Sequence, residues 1–248
     1  MKIHVYANWH YRLETSTTAA TRLVQLLQRL EQIDPSIGGW LGKADRKKDA
    51  FKPWVEQLTV ETVREKLESS FDPTFPSGGY TADAWNGEDK SPQASFRVKI
   101  GRPDDAYVPN HFALTLKSKA SANAMTSDAI KAIVTAIAEE LDPQYVVVHT
   151  EDFLKAFAPS PDNRMFPPTG GHFLYLSNDT PPFYLPKEIT ATTMPHGTLY
   201  AVLSQDGDYG PVEIALQLHD AILPVRAKEN EDNPQFGTGV RSPPSAAH

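Results

Sequence analysis

The chain has 248 residues, 40% of them hydrophobic and 22% charged, which is enough for one large domain with a sizeable core. This composition excludes collagen, coiled coil and wholesale disorder. The absence of cysteine excludes disulfides, thiolate metal sites and a cysteine nucleophile. A net charge of −7 argues against direct nucleic-acid binding, which favours basic surfaces.

The opening MKIHVYANWHYR lacks the unbroken apolar run of a secretory leader, and no stretch approaches the roughly 18 apolar residues of a membrane helix. The expected location is the cytoplasm, with no membrane contact. Within that opening, Ile3, Val5 and Ala7 alternate with polar residues, which predicts a half-buried strand over Lys2–Asn8. Glu14–Thr18 supplies helix-capping residues. Ala19, Leu23, Leu26, Leu27, Leu30 and Ile33 then recur at helical spacing until Asp34-Pro35, where the residue before proline avoids the α region. A basic run follows (Lys43, Arg46, Lys47, Lys48, Lys52), then a helix near Val60–Ser69 and strands near Tyr80–Trp85 and Ala94–Ile100.

The opening plan recurs. His111–Leu116 alternates, a helical stripe runs over Ser127–Leu141, Asp142-Pro143 ends it, and Tyr145–Val148 is a short apolar strand. An internal strand–helix duplication is one reading; chance recurrence of a common helix stop is the other. Late strands are expected at Phe173–Leu176 and Thr198–Leu203, and a last helix at Tyr209–Leu223. The fold class is α+β, with a mixed or antiparallel sheet carrying packed helices. Residues 1–223 form the expected single domain. Residues 224–248, with four prolines and no apolar periodicity, form an expected flexible tail.

Catalytic signatures are scarce. His149 stands at a strand end beside Glu151 and Asp152, where α/β enzymes place reactive groups, so a hydrolase or transferase is one alternative. Thr150-Glu151-Asp152 equally reads as a helix cap with acids in the first turn. Asp206-Gly207-Asp208 reads as a turn, since the other ligands of a calcium loop are missing. No cofactor, metal or catalytic group is assigned. Trp9, Trp40, Trp54 and Trp85 read chiefly as core anchors, the alternative being a protein-contact hot spot.

Charge is more informative. Between Ala132 and Asn163, Glu139, Glu140, Asp142, Glu151, Asp152 and Asp162 stand against Lys155 alone. Between Gly197 and Leu223, Asp206, Asp208, Glu213 and Asp220 meet no Lys or Arg. If these windows share a face, that face is strongly acidic: an ordinary solvated surface is one reading, a surface for a basic partner the other. Glu151, Asp152, Asp206 and Asp208 are its leading contact candidates, with Tyr209 as aromatic neighbour.

Several short patterns, in this order, resemble the immunity protein 52 family of bacterial polymorphic-toxin systems. They are Tyr6-x-Asn8-Trp9-x-x-Arg12-x-Glu14, Asp34-Pro35 with Trp40, Trp85-Asn86-Gly87, Phe96–Gly101, Asn110, Gly170–Ser177 and Gly197–Tyr200. The resemblance spans about residues 3–223. It implies a non-catalytic α+β protein that binds and neutralises a cognate toxin, for this family a restriction-endonuclease-like DNase often delivered by a contact-dependent apparatus such as type VI secretion. It carries no toxin-contact motif, so the contact residues above come from charge density and from their expected placement at strand-to-helix turns.

Overall fold

The computed structural model describes residues 1–10, 12–42, 51–87, 93–102, 109–117, 125–157 and 168–232, the last seven as backbone only. Most of the basic run (43–48), Asp162 with most of its proline-rich loop, and residues 233–248 of the expected tail lie outside them. Lys52 lies within.

Nine strands form one antiparallel sheet: β1 (Lys2–Trp9), β2 (Leu41–Gly42), β3 (Tyr80–Trp85), β4 (Ala94–Ile100), β5 (Asn110–Lys117), β6 (Tyr145–Thr150), β7 (Phe173–Ser177), β8 (Thr190–Met194) and β9 (Gly197–Ala201). Their spatial order is β2-β3-β4-β5-β1-β6-β7-β9-β8. The helices are α1 (Ser16–Ile33), α2 (Val60–Glu68), α3 (Ser127–Leu141), α4 (Glu151–Phe157) and α5 (Val212–Asp232). The expected α+β class and antiparallel sheet are thus observed.

Strand chemistry decides which sheet faces are covered. β1 alternates because Ile3, Val5, Ala7 and Trp9 are buried in the core under α1, α2 and α3, while Lys2, His4, Tyr6 and Asn8 are on the opposite face and only partly buried. β6 is buried at every residue because it is sandwiched: Val146 and Val148 face the core under α1, α2 and α3, while Tyr145 and Val147 face a second core under α4 and α5. The larger core holds the tryptophans. Trp40 and Trp54 both stand edge-on to Phe96, at 4.9 and 5.3 Å between ring centres. Trp9, Trp40 and Trp54 are buried; Trp85 is only half-buried, on the opposite face.

The two passages that suggested duplication diverge in topology. β5 and β6 flank β1, so the α3 crossover skips one strand, whereas from β1 through α1 the chain skips three strands to reach β2 at the sheet edge. Their Asp-Pro stops differ as well. Asp34 is extended (φ −152°) and caps a 3-10 turn through Ser36 N at 2.8 Å. Asp142 is left-handed (φ 49°). The last helix continues beyond Leu223, through Pro224 to Asp232, so its backbone takes in the first nine residues of the expected tail.

Candidate interaction site

Register turns the outward strand positions into rows across the second face. One row reads Asp83, Arg97, Ala113 and Tyr6 over β3, β4, β5 and β1, then Val147, Leu174 and Tyr200 over β6, β7 and β9. The next reads Trp85, Ser95, Thr115, His4 and His149. The apolar half lies under α4 and α5. No helix among the described residues lies over the other half.

That open half is concave. A depression of about 500 Å³ is lined by His4, Tyr6, Asp83, Trp85, Arg97 and Thr115, with Ala113 among them. Ala113 offers one methyl group between Tyr6 and Arg97, so its row sinks there. α4, packed over β6 and beside β1, borders the depression. His4 stacks on Tyr6 at 5.9 Å, and Phe51 stands against Trp85 at 5.8 Å. Among the described strand residues cations dominate: Lys2, Arg97, Lys99 and Lys117 share this half with one carboxylate, Asp83, while Glu151 of α4 acts on His4 from the border. Burial pushes His111 down to about 4, and Lys99, Arg102 and Arg97 add to that; burial also pushes His4 down to about 4, helped by Lys2. Both imidazoles are neutral at pH 7, so the positive charge belongs to Lys and Arg.

The five residues nominated from charge sit at one end of the sheet, where β6 ends and β7 begins. Glu151 and Asp152 are exposed at the start of α4. The Thr150 hydroxyl accepts from Phe153 N at 3.2 Å, so the capping reading describes this segment. Lys155 pairs with both carboxylates, at 3.4 and 3.5 Å. Asp206 and Asp208 are exposed on a tight turn, with Gly207 left-handed (φ 82°) and Ser204 N donating to Asp208 O at 2.9 Å. Tyr209 is not exposed alongside them. It is half-buried, its hydroxyl donates to Met125 O at 3.0 Å, and its ring stands edge-on to His172 and Phe173. It anchors the acidic turn to the start of α3, as does Ser127 by donating to Gly207 O. Buried His172 links the two acidic segments, lying 3.4 Å from the Thr150 hydroxyl and 3.2 Å from Gly210 O.

His149 is not brought together with Glu151 and Asp152 as a reactive group. It is fully buried, stacked on Phe153 at 5.2 Å, with Nε2 3.1 Å from Gly170 O, while both carboxylates point to solvent. Burial pushes its pKa down to about 3. The first acidic window also divides. Glu139 and Glu140 pair with Arg29 at 2.6 and 2.8 Å. Arg12 reaches Asp142 at 3.4 Å and the Leu141 carbonyl at 2.8 Å. These acids fasten α3 to α1 and its lead-in rather than forming a free surface.

Among the described residues no His, Cys, Asp and Glu cluster has metal-holding geometry, and no helix is long and apolar enough to cross a membrane.

The family model for Immunity protein 52 matches residues 3–206. The chain belongs to the immunity protein 52 family. Membership implies an immunity role, the binding of a cognate toxin. Among solved structures, the Pseudomonas aeruginosa T6SS protein PA0821 matches with a TM-score of 0.53 at 10% identity, covering 90% of this chain and 72% of that one. At that identity the likeness is one of fold. None of the curated proteins matches.

The residues through which this chain resembles the immunity protein 52 family hold its fold. Asn86 donates to Ser36 O and Gly38 O at 2.6 and 2.9 Å and accepts from Ala94 N, tying the turn after α1 to the β3–β4 hairpin. Asn110 bridges His10 O and Arg102 N. Arg12 and Arg22 close on buried Glu14, at 2.7 and 3.3 Å. Gly171 and Gly197 permit close strand approach; a Cβ would fall 2.2 Å from Val148 O and 2.1 Å from Leu176 O. What sequence reasoning missed is the open half-face. Its signal was the polar alternation of β1, β3, β4 and β5 beside the apolar run Tyr145–Val148 of β6.

Proposed function

We propose that this chain protects the cell that makes it by binding and neutralising a cognate nuclease toxin, a restriction-endonuclease-like DNase, in the cytoplasm where the chromosome lies. The family match over residues 3–206 carries the reading. The fold shared with a T6SS protein supports delivery of that toxin by type VI secretion in competition between bacteria. The nuclease assignment follows from the resemblance to the family, and charge agrees with it. A DNase holds a polyanion in a basic groove, and exposed Glu151, Asp152, Asp206 and Asp208 at one sheet end complement such a groove.

The test is co-expression of the chain with the toxin gene beside its own, followed by co-purification and growth. Wild type is expected to co-purify with the toxin and restore growth. Reversing all four carboxylates together is expected to slow association and flatten its salt dependence. If the folded quadruple variant binds and protects as wild type does across a salt series, the acidic-end mechanism is wrong. If wild type neither binds nor protects, the immunity reading falls.

A further inference from the structure

The acidic end is one exposed pole of the molecule; the open half of the second sheet face is a surface of different chemistry. It is concave, with Tyr6 and Trp85 half-exposed where the neighbouring strands would have a helix layer. Trp, Tyr and Arg are the side chains that dominate binding energy at protein interfaces, and here all three line one depression. Among the described strand residues the cations of this half-face outnumber its one carboxylate, Asp83, with Arg97 exposed in the wall of the depression and Lys99 one outward position along β4.

We propose that this open half-face is a docking site for the cognate toxin and takes an acidic segment of it, with an Asp or Glu side chain seated over Ala113 against Arg97 and flanked by Tyr6 and Trp85. The proposal rests on the toxin-binding reading above and adds a contact surface to it. Charge complementarity selects the occupant. The hollow itself holds Arg97 opposite Asp83, and the cations around it on the same half-face, Lys2, Lys99 and Lys117, tip the balance, so a local acidic segment is attracted while the overall negative field of a protein of net charge −7 repels a long polyanion. The geometry agrees: the row is deepest at Ala113, one residue from the cation that would meet the carboxylate. Burial keeps His4 and His111 neutral at pH 7, helped by Lys2 and opposed by Glu151 at His4, and opposed by the Pro109 backbone and helped by Lys99, Arg102 and Arg97 at His111, so docking draws on Arg97 and Lys99 and varies little between pH 6 and 8.

The test uses the full chain and a catalytically inactivated form of the toxin encoded beside it, with binding measured by calorimetry. Arg97→Glu reverses the seat and Ala113→Leu fills it. Both positions face solvent, so circular dichroism and melting temperature should match wild type. Each variant is expected to weaken toxin binding by about 30-fold or more, as loss of a central anchor does. A toxin Asp or Glu reversed to Lys is expected to restore affinity to Arg97→Glu alone. Folded variants that bind the toxin as tightly as wild type would overturn the docking site while leaving the immunity reading intact. Wild type that fails to bind the toxin would overturn both. A thymidine oligonucleotide is the second probe. If it binds wild type, loses affinity with Arg97→Glu, and the toxin is unaffected, the occupant is single-stranded nucleic acid and the proposal is wrong.

Discussion

The two halves of the second sheet face share rows but not chemistry. Along one row the residues change from Asp83, Arg97, Ala113 and Tyr6 to Val147, Leu174 and Tyr200 on crossing from β1 to β6. Tyr6 stands at the boundary: it lines the open depression and also packs against the core under α4 and α5. The difference teaches that one sheet serves two tasks. Where helices cover it, each strand is apolar on both sides and contributes stability. Where they do not, alternation leaves every second side chain available to a partner.

A matched pair of substitutions breaks this comparison most sharply. Leu174→Asp places a charge in a dry core and is expected to cost about 4 kcal/mol or more, or to abolish folding. Ala113→Asp, in the same row on the open half, is expected to stay within about 0.5 kcal/mol of wild type. Urea unfolding of both variants measures this. Equal costs would mean that the open half is covered in solution.

The next effect lies in the larger core. Trp40→Ala removes a buried indole that stands edge-on to Phe96, and the expected loss is about 3–5 kcal/mol in the urea midpoint, with the sheet order kept. An unchanged midpoint together with lost toxin binding would move Trp40 from the core to the interface.

Acid provides a graded test at the boundary. His149 is neutral when folded, with its pKa lowered to about 3, first by burial and then by the charges of His4 and His219; the Gly170 and Pro168 carbonyls oppose the shift. The unfolded chain takes up that proton near 6.5, so stability is full above pH 6.5 and declines as pH falls towards 3. The slope is about 1.4 kcal/mol per pH unit for this one group. His149→Gln is expected to flatten the slope between pH 6.5 and 4.5, measured by urea midpoints. An unchanged slope would contradict the burial of its imidazole. The smallest effect belongs to the surface pairs: Glu139→Gln beside Arg29 is expected to change stability by less than about 1 kcal/mol.

Local signals carried much of this fold. The Thr150 cap, both Asp-Pro helix stops and the alternation of β1 and β5 follow from backbone rules acting within a few residues, and each stands where those rules put it. β2 and β8 were illegible because a two-residue edge strand and the run Thr190–Met194 have no apolar period to read. Pro224 reads as a helix stop, yet α5 runs through it. The acidic windows misled for a different reason. Glu139, Glu140 and Asp142 meet arginines more than 100 residues earlier in the chain, so a sum along the sequence counts charges that the fold has already paired. Conversely, the cations of the open half come from three strands scattered from Lys2 to Lys117, and only register collects them.

The immunity claim is tested most directly by the toxin's own reaction. For the nuclease toxin proposed above, plasmid cleavage by the purified toxin is measured against rising concentrations of the folded chain. The account predicts that cleavage falls to zero as the complex saturates, with a midpoint equal to the dissociation constant from calorimetry when the toxin is kept well below that concentration. Cleavage that continues undiminished at saturating chain would contradict it.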